Sequence, residues 1–234
     1  MMLRHEAMME ISSIVQKMLS ANYGIKSLIV GGFPRDIGMG KPELVNDVDM
    51  VIHYSEDAAD KAEEILDETA EILSRRPCVG QVGFELFMEY GDDFASEQSG
   101  DFLDEDPDTK MDDDFKSRVK LVMRLMVVTT SNLGEHDFNI DILMSFLSAP
   151  DDLASFLNTF DFTINRWMIK PNTKKAVYVP VADCCGHSEV FRLPAFTSGW
   201  RMAYRIAHLR KKYPELDWSN CTKTFDEYLK GGEE

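Results

Sequence analysis

The chain has 234 residues, 44% of them apolar, and a formal net charge of −16. That length buries one sizeable core, or one core with a small helical appendage. The charge argues against general affinity for DNA or RNA, where neutralising phosphates dominates binding, and no apolar run approaches the ~20 residues that a membrane-spanning helix needs.

The N-terminus carries Glu6 and Glu10 among its apolar residues and lacks a signal-peptide layout. Cys78, Cys184, Cys185 and Cys221 follow no framework spacing. They are expected to be free thiols of a reducing compartment, which points to a cytoplasmic protein. Residues 3–20 place Ile11, Ile14, Val15, Met18 and Leu19 at helical spacing, with Gly24 as a stop. The methionines in this stretch read as core filler.

A strand over Lys26–Val30 runs into Gly31-Gly32, and Phe33–Ile37 opens a short helix with Pro34 in its first turn. A second strand, Val48–Ile52, follows Asp47 and contains Asp49. Strand side chains repeat with period two, so Asp47 and Asp49 share a face with Cα atoms about 6.5–7 Å apart. Two like charges that close repel unless a cation lies between them. Carboxylate oxygens suit Mg²⁺. Glycines without Cβ atoms let a backbone approach a polyphosphate.

Asp57–Arg76 is predicted as a helix with Ala62, Ile65, Leu66, Ala70 and Leu73 buried, Ser55 or Asp57 as its cap, and Pro77 as its end. Gln81–Glu89 alternates like a strand. Eleven acidic residues against Lys110 alone lie between Asp92 and Asp114. This acidic insertion, about 91–114, lacks periodicity and is expected to be a mobile loop between strands. Its residues do not follow the spacing of a calcium-binding EF-hand loop. Ser117–Thr130 and His136–Phe146 read as long strands, with Lys120 and Arg124 interleaved in the first and Asp141 between Ile140 and Ile142 in the second. A carboxylate in an apolar strand is costly unless it is paired or metal-bound.

Asp151–Asn158 looks like a short capped helix, and Lys174–Pro180 like a hairpin arm. Cys184-Cys185-Gly186-His187 is a poor zinc site, since adjacent cysteines do not easily share one tetrahedral ion. Ser198–Tyr213 is helical and basic, ended by Pro214, and a short helix and a tail are expected after it.

Gly31-Gly32-Phe33-Pro34-Arg35-Asp36, then Gly40-Lys41-Pro42, then Asp47-Val48-Asp49 resembles the GGxxRD…GKP…DxD head of the tRNA CCA-adding enzyme and bacterial poly(A) polymerase family, within the DNA polymerase β nucleotidyltransferase superfamily. Asp161-Phe162-Thr163-Ile164-Asn165 resembles that family's RRDFTINA motif, with Thr159 and Phe160 where the family has two arginines and Arg166 where it has a small residue. Arg205-Ile206-Ala207 resembles part of the neck helix. The likeness covers about residues 25–213.

The resemblance implies an α+β fold, a mixed sheet with helices packed on one face, followed by a short helical neck-like segment. It places a nucleotidyltransferase head at 1–148 and a mostly helical segment at 149–234. The implied activity is metal-dependent transfer of NMP from an NTP to an acceptor hydroxyl, an RNA 3′ end by preference, with release of pyrophosphate. Two Mg²⁺ ions would be held by Asp47, Asp49 and a third carboxylate, for which Asp141 is preferred over Asp137. Asp141 would also help remove the acceptor's proton. Nucleotide contacts would come from Gly31, Gly32, Arg35, Asp36, Asp161, Asn165 and Arg205. Arg35 would balance phosphate charge or brace the turn, and Asp36 would orient Arg35 or bind the sugar. The chain lacks a clear base-selecting motif and the family's long helical body, so a minimal nucleotidyltransferase is expected. The alternatives are a nucleotide-binding protein without catalysis, and an interaction protein that engages a basic partner through the acidic insertion.

Overall fold

The computed structural model of the chain describes residues 3–87, 119–131, 134–147, 151–181, 186–193 and 199–223. The acidic insertion, Cys184 and Cys185, and the chain beyond residue 223 lie outside the described residues. The first helix, α1 (Arg4–Tyr23), ends at Gly24, whose φ of 67° closes it with an N–H bond to the Leu19 carbonyl. Met8 and Met9 are buried in the core, in keeping with their reading as core filler.

Strand β1 (Ser27–Val30) leads into α2 (Gly32–Gly38), and β2 (Val48–His53) follows. The helix predicted over 57–76 is two helices, α3 (Glu56–Asp60) and α4 (Ala62–Ser74). Lys61, at φ −97° and ψ 6°, sits between them in a bridge conformation. Ser55 caps α3 by accepting from the Ala58 N–H at 3.2 Å. Then come β3 (Val79–Phe87), β4 (Leu121–Ser131) and β5 (Gly134–Ser145). The predicted helix near 151–158 is a 3₁₀ segment, Leu153–Thr159, that Asp152 does not cap with its side chain. Strands β6 (Trp167–Ile169) and β7 (Ala176–Tyr178) precede helix α5 (Gly199–Lys212).

The protein is α+β, and the described residues form one seven-stranded mixed sheet in the order β3-β4-β5-β2-β1-β6-β7. Every pairing is antiparallel except β2 with β5. The sheet continues past residue 148, because β6 and β7 extend it from β1. Strands of three residues carry too few side chains for alternation to reveal them, which is why β6 is silent in the sequence.

The two faces of the sheet differ. Val48, Met50 and Ile52 of β2, Ile140, Ile142 and Met144 of β5, and Met123, Leu125 and Val127 of β4 pack in one core with Ile11, Val15 and Leu19 of α1 and Ile65, Leu66 and Leu73 of α4. On the other face Val30, Val51, Val122 and Leu143 pack against Leu153, Phe156 and Leu157 of the 3₁₀ segment. Two residues along the same face from Val51, Leu143 and Val122, strands β2, β5 and β4 turn polar. Asp49 on β2 is in register with Asp141 on β5, Asp141 with Arg124 on β4, and Arg124 with Glu85 on β3.

Packing of α2 on β6 leaves no room at Gly38, where an added Cβ would overlap the Trp167 ring. Trp167 is buried, so the clash cannot be relieved by swinging the ring into solvent. Gly38→Ala is expected to lower stability by about 1–3 kcal/mol in urea unfolding, the usual cost of overpacking.

Candidate functional site

Adjacent strands lie about 4.8 Å apart, so the β2–β5 register sets the Asp49 and Asp141 carboxylates side by side. Asp47 lies two residues before Asp49, immediately ahead of β2. Asp47 and Asp49 are partly buried and Asp141 is fully buried. Burial pushes the Asp49 carboxyl well above the ordinary carboxylate range, and the charges of Asp47 and Asp141 push it further. Arg205 and Arg35 act against that rise. Asp47 is raised as well, by burial first and then by Asp141, while Arg124 and Lys212 pull it down.

The third carboxylate has a partner of its own. Arg124 donates to Asp141 through both arms of its guanidinium, Nε to Oδ1 at 2.8 Å and Nη2 to Oδ2 at 3.2 Å. The pair is buried, with side chains 5% and 1% exposed. Among the described residues no group of three His, Cys, Asp or Glu side chains forms a metal-holding cluster. The donor set fits a hard divalent cation at Asp47 and Asp49, two mutually repelling oxygen ligands. Asp141 is committed to Arg124. The rival, Asp137, is exposed near the start of β5.

Gly31 is shaped by Asp49. Its φ is 80°, and a Cβ there would lie 3.0 Å from Asp49 Oδ2 and 3.7 Å from the Phe160 ring. A glycine therefore lets the carboxylate lie against the turn. The Gly31 N–H is used within the fold, donating to the Trp167 carbonyl at 3.3 Å.

Behind the turn runs a buried polar chain. Arg35 Nε donates to Asp36 Oδ1 at 2.8 Å and to the Tyr213 hydroxyl at 3.1 Å, and Nη1 donates to Asn165 Oδ1 at 2.6 Å. Asn165 Nδ2 donates to Asp161 Oδ1 at 2.5 Å, and Arg205 Nε donates to Asp161 Oδ2. Lys212 and Tyr213 close the chain from its other end. Lys212 Nζ donates to Asp36 Oδ2 at 2.6 Å, and the Tyr213 hydroxyl donates to Asp36 Oδ1. Burial raises the Tyr213 pKa and lowers that of Lys212. The fold thus brings Arg35, Asp36, Asp161, Asn165 and Arg205 into one network. Arg35 takes the bracing place: it is buried, and Tyr213 stacks under its guanidinium at 5.2 Å. Lys41 Nζ lies 4.7 Å from the centroid of the Tyr213 ring and pairs with Glu215 at 2.7 Å.

Arg166 donates to the carbonyls of Val179, Leu157 and Pro180 and to Asn158 Oδ1, so it ties the segment just after β7 to the 3₁₀ segment. Phe160 packs edge-on against Phe156 beside Gly31. Sequence reasoning passed over Arg124, Lys212, Tyr213 and Phe160. Arg124 had a signal, a cation inside an apolar strand, but only the register pairs it with Asp141. Tyr213 had none, since a helix-end tyrosine carries no mark of a partner 178 positions upstream.

Two outcomes are expected. Asp141→Asn leaves a buried Arg124 without its counter-charge and should cost about 3–5 kcal/mol in chemical unfolding; replacing both residues by apolar ones should cost less than the Asn change alone. A carboxyl raised in the folded state adds stability below its unfolded value of 3.8 and loses it as pH climbs through the raised value. In metal-free buffer Asp49→Asn should therefore leave stability unchanged below pH 3.8 and increase it progressively above, read by urea unfolding across that range.

No protein-family model matches the chain, and no curated protein matches it. Solved structures do. The structure of a CCA-adding enzyme in apo form I is similar at a TM-score of 0.49 and 18% identity, over 96% of this chain and 42% of that one. A complex of CCA-adding enzyme with ATP gives 0.47 and 17%, over 90% and 40%. Thermotoga maritima CCA-adding enzyme complexed with tRNA gives 0.43 and 18%, over 87% and 37%. This chain spans about two fifths of the length of these proteins, and at this identity the likeness is one of fold.

Proposed function

We propose that the protein is a metal-dependent nucleotidyltransferase that moves an NMP from an NTP to an acceptor hydroxyl. The observation that carries this reading is the placement of Asp49 beside Asp141 and against the Gly31 turn, with Asp47 at the same strand end. Asp47 and Asp49 are the residues that would hold Mg²⁺. When bound, the ion would neutralise triphosphate charge and stabilise the leaving pyrophosphate. Gly31 and Gly32 border the space for the triphosphate. Arg35 and Arg205 add positive charge near Asp49, while Asp36, Asp161 and Asn165 hold those cations in place.

In the reaction the acceptor oxygen bonds to the α-phosphorus and the bond to the β-phosphate breaks. Pyrophosphate leaves with the electron pair, and the hydroxyl proton passes to a carboxylate of the row. An RNA 3′ end is the acceptor we favour, on the motif resemblance and on the exposed Arg210 and Lys211 at the end of α5. We assign residues 1–148 to the transferase portion and residues 149–234 to a neck-like portion that contributes Asp161, Asn165 and Arg205. A second reading, nucleotide binding without transfer, is favoured by one observation, the bidentate hold of Arg124 on Asp141. Among the described residues no helix is long and apolar enough to cross a membrane.

The test is incubation with each α-labelled NTP, Mg²⁺ and total RNA. Label is expected in RNA with the wild type. Asp49→Asn, nearly isosteric, should keep its circular dichroism and lose transfer about a thousandfold, roughly 4 kcal/mol of barrier. Binding of NTP by the wild type with no incorporation from any NTP would favour the second reading. Transfer retained by Asp49→Asn would contradict the assignment of the site.

A further inference from the structure

The Arg124–Asp141 pair has a consequence for how the site handles cations, and it rests on the nucleotidyl-transfer reading above. Asp47, Asp49 and Asp141 together carry three negative charges on one face. A site with two divalent ions needs Asp141 to share in holding one of them. Here both Asp141 oxygens accept from one guanidinium, in the two-pronged geometry that makes arginine–carboxylate bonds strong. The guanidinium is itself fixed: Arg124 is 4% exposed, its strand neighbours are in register on both sides, and the Phe87 ring lies 5.4 Å from it.

A second divalent ion at Asp141 would therefore stand against a buried cation that cannot diffuse away. Both would compete for the same two oxygens. With Asp141 neutralised by Arg124, and with Glu85 exposed on β3 on the far side of Arg124, the carboxylate charge left around the cation site is that of Asp47 and Asp49, which one divalent cation balances. We infer that Arg124 is a resident counter-cation of Asp141, and that the site takes one divalent cation, on Asp47 and Asp49, in place of two. Arg124 is in this sense a positioning residue: it holds the third carboxylate in a fixed orientation beside Asp49.

Counting bound Mn²⁺ tests this. The full chain is saturated with an α,β-methylene NTP analogue and titrated with Mn²⁺, and free ion is read by electron paramagnetic resonance. The wild type is expected to bind one Mn²⁺ per protein–nucleotide complex. Asp141→Asn should leave that number at one, because Asp141 holds no ion. Arg124→Met should raise it to two, and Arg124→Lys, which keeps a cation, should leave it at one. Two ions in the wild type, falling to one in Asp141→Asn, would overturn the inference. A count of one in a folded Arg124→Met protein would overturn the role given to Arg124. Should that variant fail to fold, the comparison of wild type with Asp141→Asn decides alone. Binding of neither analogue nor Mn²⁺ by the wild type would overturn this inference together with the nucleotidyl-transfer reading, an outcome distinct from a count of two.

Discussion

Parallel pairing of β2 with β5 is the constraint on which the polar face depends. It places Asp49 beside Asp141 at strand spacing and leaves no freedom to separate them. Two carboxylates held that close in a partly dry environment repel. Compensation arrives from both sides of the row. Arg124 on β4 takes Asp141 directly. On the opposite side the charges of Arg35 and Arg205 act on Asp49, and that of Lys212 acts on Asp47. The cations are not interchangeable, because each is anchored to a different part of the chain.

Anchoring on the second side couples distant segments. The chain of hydrogen bonds from Arg205 through Asp161, Asn165 and Arg35 to Asp36, Lys212 and Tyr213 begins and ends in the region of α5. Most of its members are buried, so each polar atom left without a partner would carry a desolvation cost. Such a network tolerates few rearrangements. It fixes the height of α2 relative to the 3₁₀ turn at Thr163–Asn165, and with it the position of Gly31 against Asp49. Shape at the turn and charge at the carboxylates are thus set by the same residues.

Much of the fold was legible in the sequence. Apolar periodicity located α1, and alternation located β2 and β5. The spacing of Asp47 and Asp49 announced a shared face before any pairing was known. Arg35 and Asp36 were visible as a motif, but their orientation was not. The bracing role of Arg35 depends on Asn165 and Tyr213, which lie 130 and 178 positions away. Local rules reach a few residues along a helix or strand and carry no information on such partners. The same limit hid Arg124, whose meaning lies in a register, and β6, whose three residues are too few to show a period. Lys61 marks a different limit: the apolar stripe runs on through it, so the break between α3 and α4 leaves no trace in hydrophobic spacing.

The central claim is that Asp47 and Asp49 form the cation-holding pair of a nucleotide site while Asp141 belongs to Arg124. Anomalous diffraction from crystals grown with Mn²⁺ and a non-hydrolysable NTP analogue addresses it most directly. A single anomalous peak is expected about 2 Å from oxygens of Asp47 and Asp49, with the Arg124 guanidinium still on both oxygens of Asp141. A second peak bonded to Asp141, with Arg124 displaced from it, or the absence of any peak at this face while nucleotide is bound, would contradict the account.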